Sequence, residues 1–239
     1  MNGGEAPNFG FLIFLILDFG LGLRAVRTIM LPGLGADARL FEPQRAVLPR
    51  LEVPPWLPHV EDETLADYGR RMAATVDPTE PFYLGGASFG GMVAQEMARH
   101  LRPRAIFLIA SCRHGEAIAG HLKYFVRFAD LFPERVFEAG LSQAFASKFG
   151  TLSAQQESLL GDMFAGVSAR FVRWGIAAIT AWPGAGPLAA PVFHIHGSDD
   201  EWIPRKSVQP DQVIPGGGHL INLTHAAEVN AFLTSKMVS

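Results

Sequence analysis

The sequence predicts an α/β fold, a mainly parallel sheet flanked by helices, with a small helical cap inserted after the strand near residues 105–110. Three observations support this prediction. β-favouring runs alternate with helical runs over residues 25–110, as in parallel sheets covered on both faces. The alternation stops over residues 113–186, and so long a break favours an inserted cap over further helices of the main layer. Finally, 239 residues suit one domain with a modest insertion.

The part of the chain before the cap alternates short strands with helices. Glycine, proline and β-favouring residues mark the strands, and apolar residues near a 3.6-residue period mark the helices. Pro54 and Pro55 interrupt the second strand and place it near a sheet edge. The predicted strands cover residues 25–31, 51–56, 82–84 and 105–110, and the predicted helices cover residues 65–76 and 89–101.

The part after residue 112 contains the cap and then two more strands. Amphipathic runs rich in Phe and Trp predict cap helices over residues 122–132, 136–145 and 171–182. Strands follow over residues 192–196 and 212–214, with a terminal helix over residues 224–232. The predicted division is a hydrophobic extension (residues 1–23), an α/β core (residues 24–112 and 187–239) and a helical cap (residues 113–186).

The N-terminal extension carries an uninterrupted apolar run over residues 9–17. Nine residues fall well short of the roughly 20 that span a bilayer, so no integral membrane span is expected. The only charge before the run is Glu5, and no clear cleavage site follows, which is unlike a secretory signal. An added strand, a peripheral extension and non-native upstream sequence remain open. We expect a cytoplasmic protein, with peripheral membrane association through residues 9–17 as the alternative.

Composition narrows the class of partner. A formal net charge of -3, without a dense Lys/Arg run, gives no electrostatic basis for binding nucleic acid. The single cysteine, Cys112, excludes an intrachain disulfide and a cysteine-cluster zinc site. We therefore expect a small-molecule substrate, no metal and no organic cofactor. The oligomeric state is not predicted.

The most informative motif is the pentapeptide at residues 86–90, Gly-Ala-Ser-Phe-Gly, which lies between a predicted strand and a predicted helix. In that context it predicts a nucleophile elbow, with Ser88 at the tip of a strained turn. Gly86 and Gly90 flank the serine at positions where strand and helix backbones pass too close for a Cβ atom. Ser88 is therefore the candidate nucleophile.

A serine nucleophile requires a base and a carboxylate that orients it. His219 follows three glycines in a loop after the last predicted strand, which makes it the best candidate for the base. His194 and His196 lie within an apolar strand and are expected to be structural. Asp199 and Asp200 both follow that strand, and spacing alone does not decide which of them faces the histidine.

Two backbone amides are needed to hold the oxyanion of the tetrahedral intermediate. Phe89, directly after the nucleophile, supplies one candidate at the start of its helix. The loop after the first strand, residues 32–35, supplies the other. Leu34 is the best candidate there because Pro32 has no N–H group.

Together these motifs resemble the α/β-hydrolase superfamily, specifically its small, capped, esterase-like members. The resemblance runs from about residue 24 to the C-terminus. In that family the acid lies three residues after the glycine of its loop and four before the proline, which selects Asp200. The motifs that carry the resemblance lie at residues 31–37, 86–91, 196–204 and 216–220.

Two departures from the family limit what the resemblance implies about substrate. Pro32 stands where many relatives have histidine, and the His-Gly-Gly-Gly run of the hormone-sensitive-lipase-like branch is absent. Superfamily members with an aspartate nucleophile are disfavoured by Ser88. The substrate habits of those branches are therefore not carried over to this chain.

The resemblance implies a carboxylesterase-type serine hydrolase with the triad Ser88, His219 and Asp200, acting through an acyl-enzyme on small to medium apolar esters. Alternatives on the same triad are a thioesterase, lactonase, carbon-carbon bond hydrolase or hydroxynitrile lyase, and a further alternative is a hydrolase-like ligand-binding protein. Candidate substrate-binding residues are Gly33, Phe125, Phe128 and Trp174. Further aromatic residues that could line the cap are Phe132, Phe145, Phe149, Phe164 and Phe171.

Overall fold

The computed structural model describes residues 26–118, 120, 149 and 152–237. The predicted extension at residues 1–23 and the cap helices at residues 122–132 and 136–145 lie outside the described residues. The division into core and cap therefore stays a prediction at these boundaries.

The described residues form one six-stranded sheet in which every neighbouring pair of strands is parallel. This confirms the predicted fold class. The spatial order is β2-β1-β3-β4-β5-β6, so the two central strands are β3 and β4, and every residue of both is buried. The strands are β1 (Arg27–Leu31), β2 (Leu51–Glu52), β3 (Phe82–Ala87), β4 (Ile106–Ile109), β5 (Val192–Gly197) and β6 (Gln212–Ile214).

Strand β2 is shorter than predicted, since it ends at Glu52 and not at residue 56. It pairs only with β1, at the edge of the sheet. Pro54 and Pro55 follow after Val53, and because they have no N–H group to donate they prevent further pairing. The prolines thus set the end of the strand and not only its edge position.

Helices cover both the sheet and its carboxyl edge. Helix α3 follows β3 directly and is buried along its whole length, because it packs between the sheet and α2. A Cβ atom on Gly69 of α2 would lie 2.3 Å from Glu96 Cβ of α3, so Gly69 allows this close approach. The helices are α1 (Glu42–Arg45), α2 (Leu65–Ala73), α3 (Phe89–Met97), α4 (Ala154–Ala165), α5 (Ala169–Ala181), α6 (Ile221–Thr224) and α7 (Ala226–Met237).

Two of these helices, α4 and α5, belong to the inserted segment. Helix α4 begins with a capping box in which Ser153 and Gln156 exchange hydrogen bonds. Helix α5 is tied to the core because Trp182 Nε1 donates to the buried Glu96 Oε1 over 2.6 Å. Gln156 Nε2 of α4 also donates to Leu223 O of α6 over 3.2 Å, so both helices are hydrogen-bonded to the core.

No helix in the described ranges is long and apolar enough to cross a membrane.

Candidate active site

The candidate site is built at the carboxyl edge of the sheet, where the loops after four strands meet. Leu34 follows β1, Ser88 follows β3, Asp200 follows β5 and His219 follows β6. All strands of the described sheet run in the same direction, so these loops lie at one edge. Residues far apart in the chain are thereby placed side by side.

Ser88 occupies the turn between β3 and α3 in a strained conformation. Its φ of 51° and ψ of -121° lie where non-glycine residues are seldom found. Two hydrogen bonds hold the turn: Ser88 N donates to Ile109 O over 2.9 Å, and Ser111 Oγ donates to Ser88 O over 2.7 Å. The end of the neighbouring strand β4 and the residues after it therefore stabilise the strained conformation of Ser88.

The two glycines of the pentapeptide lie against backbone atoms. A Cβ on Gly86 would lie 2.4 Å from the Gly90 carbonyl carbon. A Cβ on Gly90 would lie 2.0 Å from Leu31 O of β1. Because the obstacles are main-chain atoms, no side-chain rearrangement could make room.

His219 connects the serine with a carboxylate. Its Nε2 lies 2.8 Å from Ser88 Oγ, and its Nδ1 lies 2.7 Å from Asp200 Oδ2. The carboxylate only accepts hydrogen bonds, so Nδ1 carries the proton and Nε2 is left to accept the serine hydroxyl. Side chains 131 positions apart are joined in this way.

Asp200 is buried and accepts three hydrogen bonds from nitrogen donors. Oδ1 accepts from the amides of Trp202 and Ile203, each over 2.9 Å, while Oδ2 faces His219 and His196. Burial alone would raise the pKa of Asp200, but its interactions with His219, His196 and the Ile203 amide together outweigh this effect, so its pKa lies below the ordinary value. The carboxylate is therefore ionised at neutral pH.

The neighbouring Asp199 has a different environment. It is exposed, and its Oδ1 accepts a hydrogen bond from Ser198 Oγ over 2.6 Å. Its backbone amide donates to Gly217 O over 2.9 Å, which ties the loop after β5 to the loop after β6. Of the two aspartates, only Asp200 contacts the histidine.

Two buried histidines lie beneath Asp200 on β5. His196 Nε2 lies 2.8 Å from Ile203 O and 3.3 Å from Asp200 Oδ2. A carbonyl only accepts, so His196 Nε2 carries a proton and His196 Nδ1 accepts from His194 Nε2 over 3.1 Å. Burial lowers the pKa of both imidazoles, that of His194 to about 3. Both are neutral at pH 7 and support the loop after β5 that carries Asp200.

The amides of Leu34 and Phe89 are free to bind a ligand. Within the described part of the chain neither amide donates to a protein acceptor. Phe89 is the first residue of α3, where the helix dipole favours negative charge. Leu34 lies in a turn that is closed by a hydrogen bond from Ala36 N to Gly33 O over 3.0 Å. The geometry supports an oxyanion-binding role for both amides.

A cavity of about 80 Å³ adjoins Ser88 and is lined almost entirely by apolar side chains. Gly33 lies in its wall, since a Cβ there would be 3.8 Å from Ser88 Cβ. The Phe149 ring stacks on the imidazole of His219 with 6.1 Å between ring centroids. From the inserted helices the lining includes Leu160, Phe164, Ile176 and Ile179.

Trp174, expected at the substrate, lies elsewhere in the structure. It is not in the lining of this cavity; its ring packs 4.6 Å from the Tyr68 ring, and its Nε1 donates to Glu63 O over 2.8 Å. It thus fastens α5 to the segment before α2. Phe171 packs in the same aromatic cluster, whereas Phe125, Phe128, Phe132 and Phe145 lie outside the described residues.

Several contacts of the site were not singled out in the sequence. The amides of Trp202 and Ile203 hold Asp200, and their position between an Asp-Asp pair and a proline was the available signal. Leu160 and Ile176 line the cavity, but helical periodicity marks them only as apolar. No group of three or more His, Cys, Asp or Glu side chains in the described ranges is placed to hold a metal ion.

Comparison with known proteins identifies the family but not the substrate. No curated protein matches the chain. A malate-bound thermophilic esterase from Thermogutta terrifontis has a TM-score of 0.70 and 18% identity over 89% of each chain. The enol-lactonase from Burkholderia xenovorans LB400 has a TM-score of 0.70 and 16% identity over 92% of this chain and 94% of the other. An N-acyl homoserine lactonase variant complexed with N-hexanoyl homoserine lactone has a TM-score of 0.69 and 16% identity over 90% of each chain.

At such identities these structures support the fold alone. The family described as the alpha/beta hydrolase family matches residues 10–232, which is most of the chain. The chain therefore belongs to the alpha/beta hydrolase family.

Proposed function

We propose that this protein is a serine hydrolase of carboxylic esters, of the carboxylesterase type. The observation that carries the proposal is the continuous hydrogen-bonded chain from Ser88 Oγ through His219 to Asp200, at 2.8 and 2.7 Å. The amides of Leu34 and Phe89, which have no acceptor among the described residues, complete the set of groups that acyl transfer requires.

In the first half of the reaction, Ser88 Oγ attacks the ester carbonyl carbon while His219 Nε2 takes the hydroxyl proton. The carbonyl oxygen becomes an oxyanion and accepts from the Leu34 and Phe89 amides. The carbon-oxygen bond to the alcohol then breaks, and His219 passes its proton to the departing alcohol. Asp200 stays ionised and stabilises the imidazolium formed between these steps.

In the second half, water replaces the alcohol. His219 takes a proton from the water as its oxygen attacks the acyl-enzyme, and the proton returns to Ser88 when the carboxylic acid leaves. Among the described residues that line the cavity there is no Asp, Glu, Lys or Arg. An uncharged, apolar acyl group is therefore the preferred occupant, because burying a charge there without a partner is costly.

Replacement of the nucleophile tests this proposal. We expect Ser88→Ala to lower kcat for p-nitrophenyl butyrate by at least about 10⁴-fold, since the attacking oxygen is removed. Ser235 is an exposed serine on α7. The control variant Ser235→Ala should retain activity. Retained turnover in Ser88→Ala would exclude the mechanism.

Labelling by a fluorophosphonate probe separates an esterase from a ligand-binding protein of the same fold. The wild-type protein should be labelled and Ser88→Ala should not, because the probe reacts only with an activated serine. A folded wild-type protein that does not react would favour a binding function.

A further inference from the structure

A second, larger cavity lies beside the one that contains Ser88. It has a volume of about 570 Å³ and is lined by the segment after β2, including Trp56, and by the corner between α4 and α5. Ala36 is in the wall of both cavities. The two spaces are therefore neighbours on either side of the loop that carries Leu34.

The ring of Phe164 lies in the wall of the smaller cavity, next to the loop that borders both cavities. Phe164 lines the smaller cavity, whereas Met163 and Gly166, near it in sequence, line the larger one. The ring is in direct contact with the loop after β1, because a Cβ on Gly35 would lie 2.3 Å from Phe164 Cε1. Gly35 also has a φ of 83°, which L-residues seldom adopt. Only glycine lets the ring close against the loop here.

The direction of the acyl group follows from the proposed reaction. His219 must reach the departing alcohol to protonate it, so the alcohol lies on the His219 side of the scissile carbon. The acyl group then occupies the rest of the cavity, whose wall includes the loop that carries Leu34 and the Phe164 ring. A dry cavity of about 150 Å³ accepts benzene, with six carbons, so about 80 Å³ holds roughly three.

We propose that Phe164 is the specificity-determining residue that separates the two cavities and limits the substrate to esters of short acyl chains, about two to four carbons long. This inference rests on the proposed ester hydrolysis. Without the ring, the acyl chain could extend past Gly35 and Ala36 into the larger cavity. The substrate class of the wild-type protein is therefore the short-chain, uncharged ester.

The test is a series of p-nitrophenyl esters from acetyl to decanoyl, measured with the wild-type protein and Phe164→Ala. In the wild type, kcat/KM should rise up to butyryl and fall about tenfold or more by octanoyl, because longer chains overpack the cavity. In Phe164→Ala, each methylene that enters the larger cavity should raise kcat/KM about fourfold. Octanoyl has four more methylenes than butyryl, so the ratio of octanoyl to butyryl kcat/KM should be about 250 in Phe164→Ala, against about 0.1 or less in the wild type.

Two control variants distinguish the removal of the Phe164 ring between the cavities from a general increase in cavity volume. Leu160→Ala enlarges the catalytic cavity at another point and should extend the optimum by only one or two carbons. Val167→Ala enlarges the second cavity alone and should keep the wild-type profile. Equal extension in Leu160→Ala and Phe164→Ala, or an unchanged profile in Phe164→Ala, would overturn the proposal. If Phe164→Ala does not fold, Phe164→Leu should still shift the optimum to longer chains.

A binding measurement, which needs no turnover, tests the role of Phe164 independently of the proposed reaction. In a Ser88→Ala background, calorimetry should show that Phe164→Ala raises the affinity for octanoate relative to butyrate at least tenfold. An unchanged ratio would contradict the role of Phe164. Absence of hydrolysis in the wild type together with the expected change in affinity would reject the ester hydrolase and retain the wall between the cavities.

Discussion

At the scale of single residues, the site shows how two adjacent aspartates acquire different roles. Asp200 points inward, where the amides of Trp202 and Ile203 bind one carboxylate oxygen and His219 the other. Asp199 points outward and is exposed. Amide donors lower the free energy of the buried carboxylate and fix its orientation. The loop after β5 thus selects one of the two as the partner of the histidine.

Exchanging each aspartate for asparagine should separate these roles. Asp200→Asn is expected to lower kcat for p-nitrophenyl butyrate by about 10⁴-fold, because an amide at this position can hold His219 in the wrong tautomer. Asp199→Asn keeps the exposed side chain's size and should retain activity within about twofold. Near-full activity in Asp200→Asn, or equal losses in both variants, would remove Asp200 from the mechanism.

The sequence alone left this choice open, and the reason is geometric. Consecutive residues in a loop do not follow a fixed period, so spacing does not decide which carboxylate faces inward. The choice of Asp200 came from the resemblance to a family. In the structure the physical cause is the pair of amides two and three residues downstream, whose direction depends on the path of the whole loop.

At the scale of elements, the unit formed by β1, β3 and α3 determines where Ser88 lies. Helix α3 starts directly after Ser88 and crosses β1 so closely that Gly90 touches Leu31 O. This approach aims the N-terminus of the helix, and with it the Phe89 amide, at the space beside Ser88. Close packing of strand and helix is therefore part of the site's chemistry.

Alanine at Gly90 should disrupt this unit. Its Cβ would lie 2.0 Å from Leu31 O, so we expect a loss of about 3 kcal/mol or more in the free energy of unfolding, despite the better helix propensity of alanine. The matched control is Gly161→Ala in α4, which is exposed and has nothing within 4 Å of the added Cβ. The free energy of unfolding of Gly161→Ala should rise by about 0.5–1 kcal/mol.

Urea denaturation followed by circular dichroism measures both changes. The prediction is contradicted if Gly90→Ala is as stable as the wild type, because the strand and helix would then separate at little cost. Loss of soluble protein in Gly90→Ala alone, with Gly161→Ala intact, would agree with it.

The elements differ in how far the sequence predicts them. The run before Ser88, the run at β4 and the glycine-rich loop before His219 follow from local composition, because strands end at glycine and proline. In the inserted segment, by contrast, α4 and α5 carry apolar residues on several faces. Trp174 and Phe164 are both aromatic residues in helical runs. The sequence pattern does not reveal that Trp174 packs on Tyr68 whereas Phe164 lines the cavity.

At the scale of the whole molecule, topology brings the site together. Ser88 and His219 are 131 residues apart, yet the parallel sheet places the ends of β3 and β6 at one edge. This juxtaposition could be predicted from the strand-helix alternation, since parallel strands share an edge. The size of the cavity could not, because it depends on how α4 and α5 sit over that edge.

The same architecture buries two neutral histidines on β5, and the free-energy cost of protonating them in the folded protein should govern stability in acid. His194 is 2% exposed, and burial, assisted by repulsion from His196 when that ring is protonated and from Arg113, lowers its pKa from 6.5 to about 3. Between these values the unfolded chain binds a proton there that the folded protein does not. The stability is complete above the unfolded pKa and declines as the pH falls, by about 1.4 kcal/mol per pH unit for one proton.

We therefore expect the free energy of unfolding, measured by urea denaturation from pH 7.5 down to pH 4.5, to fall steeply below pH 6.5 in the wild type. His194→Gln should reduce that slope by about 1.4 kcal/mol per pH unit, because glutamine does not titrate and can still donate a hydrogen bond to His196 Nδ1. At pH 7.5 His194 is neutral in both the folded and unfolded states, so any difference there reports packing and hydrogen bonding alone. Parallel curves for the two proteins would show that His194 takes up its proton as readily in the folded protein as in the unfolded chain.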